Sequence, residues 1–420
     1  MLLKGARIYD PAQKLDKVLD IYIKDSKIEK MGKDLKIKCG QVIDLKGKVV
    51  LPGLIDMHVH LREPGFENRE TIRTGALSAS RGGLTAIACM PNTNPPLDNI
   101  GGIALYKQNG LTLPVEVYPI GCVSKERAGK ELTEMGSLYE AGAVAFSDDG
   151  APVASTELMR RALEYSKVTD TPIIDHCEDT NLKSDGVMNE SYTSSLLGLK
   201  GNPAEAEVIH IYRNIVLSRL TGGKVHIAHL STKDGLALIK QAKKDGINIT
   251  CEVTINHLLL TEEDLADYDT NLKVSPPLRS KEDQKALLKG LADGTIDALV
   301  SDHAPWTYED KEVEFSLAPF GISGIETLVP LAFGELYKNH NIPLARIVDA
   351  LSHNPAKILN LPDRRIKKGS PANLTVLDLD AKDKISKEDF ITMGKNTPYN
   401  GKTVNCKPFM TVVNGKAYKN

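Results

Sequence analysis

The sequence predicts an α/β protein: a (β/α)8 TIM-type barrel over residues 52–360 and a small β-sandwich-like domain built from both chain ends, residues 1–51 and 361–420. Three observations lead there. Short apolar strands alternate with helical segments through the middle of the chain, and the two ends share a different, strand-rich texture. The length of 420 residues exceeds what one hydrophobic core holds but suits a barrel of about 250 residues plus a second domain.

At the N-terminal end, β-rich runs at 6–9, 20–23, 43–44 and 49–51 are separated by turns, and runs at 372–379 and 411–415 repeat that texture at the other end. Chain termini of a domain commonly lie close together, so the two ends are expected to share a sheet with the barrel inserted between them. The first barrel strand is expected in Gly53-Leu54-Ile55-Asp56-Met57-His58-Val59-His60-Leu61-Arg62, opened by Pro52-Gly53 and closed by Pro64-Gly65. Further strands are expected at 85–88, 115–118, 143–146, 172–174, 225–228 and 298–300. Between them run helices, for instance one opened by Asn202 as N-cap with Pro203 at its first position and ended by Gly222-Gly223. A doubly wound sheet is the alternative architecture, but no G-x-G-x-x-G turn follows the first strand.

Bulk properties narrow the partners. Basic and acidic residues number 53 and 55 and are intermixed, for a net charge of -2, which offers no electrostatic handle to nucleic acid or an anionic membrane. The N-terminus lacks a signal-like apolar core and no window approaches a membrane span, so a cytoplasmic protein acting on a small molecule is expected. Six cysteines lie far apart without a C-x-x-C pair and are expected to be reduced; Cys177 adjoins His176 but on a strand faces the other way.

The chemistry lies in the residues that end strands. In a (β/α)8 barrel, catalytic groups sit on the C-terminal ends of the strands. His58 and His60, two apart on an extended segment, share one face, and Arg62 follows just past the strand. Asp149 follows 143–147, His176 follows 172–175, His229 follows 225–228 and Asp302 follows 296–301. An Asp before Gly is commonly a turn residue and a histidine at a strand end commonly a hydrogen-bonded loop residue, but coincidence on so many strands is hard to obtain by chance. Parity places His229 on one face with Val225 and Ile227, opposite His226, and groups Asp302 with Val300 and Ala298, opposite His303. Imidazole with carboxylate is a ligand set for Zn2+ or a similar divalent ion, and a pair of such ions makes water nucleophilic at neutral pH. Hydrolysis of a carbonyl compound is the expected chemistry.

The pattern resembles the amidohydrolase superfamily and, within it, the bacterial and archaeal dihydroorotase family. The matching motifs span the chain: Leu61-Arg62-Glu63-Pro64-Gly65, Met90-Pro91-Asn92-Thr93-Asn94-Pro95, Asp148-Asp149-Gly150, His176-Cys177-Glu178-Asp179, His229-Leu230-Ser231-Thr232-Lys233, Pro276-Pro277-Leu278-Arg279, Asp302-His303-Ala304-Pro305 and Ala318-Pro319-Phe320-Gly321. The resemblance implies two zinc ions, one held by His58, His60 and Asp302, the other by His176 and His229, with Asp149 bridging them. It implies that Arg62 and Asn92 grip a substrate carboxylate, with His60, Ser275, Trp306 and the backbone of Phe320 and Gly321 completing the substrate site. Asp302 would shuttle a proton as a bridging hydroxide opens the ring of dihydroorotate to N-carbamoyl-L-aspartate in pyrimidine (UMP) synthesis. A homodimer and association with aspartate transcarbamoylase are further family expectations. Two positions depart from the family pattern: Trp306 stands where a second histidine is usual, and Ser275 where an asparagine is usual. They keep open a hydrolase of another cyclic amide or ureide, such as hydantoin or allantoin. The remaining alternative is a non-catalytic assembly partner, which commonly loses ligands that are intact here.

Overall fold

A computed structural model describes residues 1–419. Strands from the N-terminal end, Leu2–Asp10, Leu15–Lys24, Lys27–Gly32, Val42–Asp44 and Val49–Pro52, join Leu374–Asp378, Lys407–Val413 and Lys416–Lys419 in one eight-stranded sheet. The ends of the chain meet where Val49–Pro52 pairs antiparallel with Leu374–Asp378, Val50 opposite Val376. The alternation read from the sequence supplies the buried face, with Ile8, Ile21, Ile23, Val376, Met410 and Val412 in one cluster. Only Gly53 separates this sheet from the first barrel strand, and a Cβ there would come within 2.4 Å of Thr85 Oγ1. Glycine is therefore required by close approach.

The barrel closes with eight staves. Seven carry strands: Leu54–Val59, Leu84–Cys89, Glu116–Pro119, Ile173–Asp175, Val225–Ile227, Ile249–Thr254 and Ala298–Val300. The fourth, residues 143–147, is held by single bridges and by backbone bonds from Val144 N to Pro119 O and from Ile174 N to Phe146 O. Closure comes from His60 N donating to His303 O at 2.8 Å, beside a parallel bridge between Val59 and His303. The stave absent from the sequence reading is Ile249–Thr254, whose Ile-Thr-Cys-Glu-Val-Thr alternation was passed over.

Side chains sort into two layers. Met57, Ala88, Ile120, Ala145, Ile174, Ala298 and Val300 pack together inside the barrel. Leu54, Val59, Ile87, Ile173, Val225, Ile227, Val253 and Leu299 pack outward with helix residues such as Ala76, Ile103, Leu163, Ile211 and Ile239. One helix boundary differs from expectation. The long helix between the fifth and sixth staves is Glu205–Thr221, with Ala204 at the cap position and no side-chain cap; Asn202 lies instead in a two-residue strand and donates its amide to Glu178 Oε1. Gly222 ends the helix in the left-handed region, as the sequence predicts. No helix among the described residues is long and apolar enough to cross a membrane.

Candidate metal centre

The first strand delivers two imidazoles through a bulge. Asp56 pairs with Ile87 and Val59 with Cys89, so this strand spends three residues where its neighbour spends two. Met57 and Val59 keep their inner and outer places, and His58 and His60 both turn into the mouth. Each ring is held from behind. His58 Nδ1 meets the Glu252 carboxylate, and His60 Nδ1 lies 2.8 Å from Asn92 Oδ1, which leaves both Nε2 atoms facing the centre.

His229 corrects the parity argument. Val225 and Ile227 face the helices, so an extended continuation would point His229 away from the mouth. The strand instead ends at Ile227, and His229 adopts φ 32°, a left-handed conformation that swings its ring inward. His226, on the inner face, is engaged by Thr250 and Glu252. Asp302 lies beyond inward-facing Ala298 and Val300, as parity predicts, at φ 48°. Both residues occupy backbone conformations that cost free energy and that the surrounding barrel enforces.

The side chains converge on Asp149. Its Oδ2 lies 3.5 Å from His58 Nε2 and 3.6 Å from His60 Nε2, and its Oδ1 lies 3.2 Å from His229 Nε2 and 3.7 Å from His176 Nδ1. Asp302 Oδ1 is 3.1 Å from His60 Nε2 and 3.4 Å from His58 Nε2. One carboxylate thus faces two imidazole pairs. Several of these separations are too long for hydrogen bonds, and His58 Nε2 is buried without a partner. They suit ligand atoms sharing an ion: bonds of about 2.0–2.2 Å at tetrahedral angles put two ligands about 3.4 Å apart. The donor set therefore fits divalent metal on both sides of Asp149.

The electrostatics agree with a cation site. Burial opposes charge on His58, but the carboxylates of Glu252, Asp149 and Asp302 outweigh it and hold the imidazole well above its ordinary pKa. Burial likewise works against His176, which Asp149 and Glu178 push up to about 10. Asp149 is raised by burial but lowered further by His58, His176 and His229, ending well below the usual carboxylate range. His58 and His176 are thus favoured in their charged forms, while burial, with the Arg62 charge beside it, lowers His60.

A cavity of about 290 Å³ opens over this cluster. Every expected substrate residue reaches it: His60, Arg62, Asn92, Ser275, Trp306, Phe320 and Gly321. Arg62 is buried and lies 5.0 Å from the Trp306 ring centre, and Trp306 Nε1 donates to Phe320 O at 2.8 Å. A larger cleft, about 660 Å³, lies between barrel and sheet beside Arg81 and Phe390, but no histidine lines it. Two residues escaped sequence reasoning. Glu252 was findable, because Thr250, Glu252 and Thr254 alternate with Cys251 and Val253 and so share the inner face. Lys183, on the short helix Thr180–Lys183 at the cavity wall, ends no strand and carried no signal.

Imidazole pairs flanking a buried carboxylate at the C-terminal mouth of a closed barrel are machinery for activating water, the arrangement of a metal-dependent hydrolase. A family model described as dihydro-orotase-like matches residues 47–235. The chain is 47% identical over 416 residues to a dihydroorotase of Pelotomaculum thermopropionicum, covering 99% of this chain and 97% of that one. It is 45% identical over 419 residues to a dihydroorotase of Acetivibrio thermocellus, covering 99% and 98%. Among solved structures, an L-hydantoinase (dihydropyrimidinase) from Arthrobacter aurescens superposes with a TM-score of 0.89 at 27% identity, over 100% of this chain and 96% of that one. The chain belongs to the dihydroorotase family.

Proposed function

We propose that the protein is a dihydroorotase, interconverting (S)-dihydroorotate and N-carbamoyl-L-aspartate for pyrimidine (UMP) synthesis with two zinc ions. The observation that carries this reading is Asp149, whose two oxygens each face a separate imidazole pair beneath a cavity walled by a buried arginine. In this proposal His58, His60 and Asp302 hold one ion, His176 and His229 the other, and Asp149 both. When bound, the ions lower the pKa of water from about 15.7 to about 7 and polarise the carbonyl under attack.

The protein's own groups do the rest. Arg62 presents a planar fork to the substrate carboxylate. Asn92 uses its carbonyl to orient His60, which leaves its amide N–H groups for the same carboxylate. The Phe320–Gly321 backbone borders the ring, and the Trp306 indole, its one N–H engaged by Phe320, forms a wall that keeps water from Arg62. Asp302 takes the proton released as water attacks and returns it to the leaving amide nitrogen.

Assaying the purified protein on dihydroorotate, hydantoin and allantoin, with metal content measured in parallel, tests this. Turnover of dihydroorotate with two zinc ions per chain is expected; turnover of hydantoin or allantoin alone defeats the proposal. The proposal extends to a cytoplasmic homodimer that associates with aspartate transcarbamoylase. An exposed apolar row on helix Glu205–Thr221, Ile209, Tyr212, Val216 and Leu220, supports a protein contact, and sedimentation of wild type against Tyr212→Lys checks it.

A further inference from the structure

Two cationic side chains reach the cavity from opposite walls. Arg62 follows the first stave and Lys183 the fifth, and these staves stand across from one another in a ring of eight. An ammonium has three donors. In Lys183 one meets Glu178 Oε2 at 2.5 Å and one meets Ser275 Oγ at 3.2 Å, which leaves the third for a ligand. The amine lies 5.2 Å from the Phe320 ring centre, and the side chain is 18% exposed at the cavity wall. Its neighbours offer little else. Ser275 has a short side chain already in contact with Lys183, and Trp306 has used its single N–H on Phe320 O.

Taking dihydroorotate as the substrate, we infer that Lys183 binds the ring carbonyl oxygen that survives the reaction. The substrate carries three oxygen-bearing groups. Its carboxylate goes to Arg62 and Asn92, and the carbonyl under attack goes to the cluster around Asp149. The three groups sit on alternate ring atoms, so the third, which becomes the carbamoyl oxygen of the open chain, points to the wall that the other two leave free, where Lys183 stands. Glu178, 3.2 Å from His176 Nε2, anchors the ammonium in place. Because that oxygen is an acceptor in ring and open chain alike, the contact stabilises both ground states and the transition state equally. Lys183 is then a specificity-determining residue that sets KM in both directions and leaves kcat alone.

Steady-state kinetics of zinc-loaded wild type, Lys183→Met, Lys183→Arg and Glu178→Gln, with dihydroorotate and with N-carbamoyl-L-aspartate, test this alongside metal content. Lys183→Met is expected to raise KM about 10- to 100-fold in both directions, with kcat within a few-fold of wild type and metal unchanged. Lys183→Arg should recover part of the loss. An unchanged KM in Lys183→Met overturns the assignment. So does a fall in kcat and metal content that Glu178→Gln reproduces, because Lys183 would then act only by positioning Glu178 and His176. Wild type that turns over neither compound overturns the dihydroorotase reading itself, and the carbonyl assignment falls with it.

Discussion

The two ends of the barrel solve opposite problems with the same staves. At the C-terminal mouth, His58, His60, Asp149, His176, His229 and Glu252 are all buried within one continuous set of contacts. At the N-terminal end the interior is sealed by Ile55, Ala86 and Ala356 and by one ion pair, Arg364 Nη2 to Glu116 Oε2 at 2.7 Å, with the Arg364 side chain 2% and the Glu116 side chain 20% exposed. Buried charge costs free energy at either end. At the bottom one arginine faces one glutamate directly, whereas at the mouth His58 Nε2 stands 3.4 Å from Asp302 Oδ1 and 3.5 Å from Asp149 Oδ2 without a hydrogen-bond partner. The difference teaches that the mouth gathers imidazoles and carboxylates at spacings that suit ligands of a shared ion, whereas the bottom sets one cation directly against one anion.

Removing the shared carboxylate should break that contrast most severely. Asp149→Ala is expected to lose bound metal on both sides and to lower kcat/KM at least about 1,000-fold, while Arg62→Ala keeps its metal and loses affinity for the carboxylate; metal analysis beside kinetics decides, and equal metal loss in both contradicts the scheme. At the other end, Arg364→Met removes the partner of the half-buried Glu116 carboxylate, so thermal or denaturant unfolding should show about 1–3 kcal/mol of lost stability with kcat unchanged per folded molecule. A substantial loss of kcat would mean that the bottom also serves the chemistry.

Glu252→Gln tests the support behind the mouth. It keeps the shape but weakens the hold on His58 Nδ1, and metal affinity measured by competition with a chelator should fall about 10- to 100-fold. The smallest effect lies beneath the barrel at Asp10. Burial raises its pKa, but bonds from His353, Ile366 N and Gln13 outweigh burial and leave it below the usual value. The unfolded chain therefore takes up the proton first, so the stabilisation is present above the unfolded carboxylate pKa and disappears as pH falls through the folded one. The gap in melting temperature between wild type and Asp10→Asn should narrow below about pH 4.

Much of the mouth was legible because the side chains that gather there end strands, and strand ends are marked by composition. His58 and His60 flank one residue, Asp149 precedes a glycine, and Asp302 follows an apolar run. Glu252 was hidden in a stave whose alternation resembles ordinary strand, and Lys183 lies on a four-residue helix whose place depends on the fold around it. His229 was read as a site residue, but the parity argument beneath it failed, because a left-handed backbone replaced the extended one that parity assumes.

By itself, the order of residues determined the alternation of strand and helix, the sheet texture of both ends and the residue types available for metal and substrate, because these follow from local periodicity and side-chain chemistry. Only tertiary structure decided which way His58 and His229 point, which carboxylate faces both imidazole pairs and which lysine reaches the cavity. Those outcomes depend on a bulge, on enforced backbone conformations and on barrel closure, each set by contacts between residues far apart in the chain.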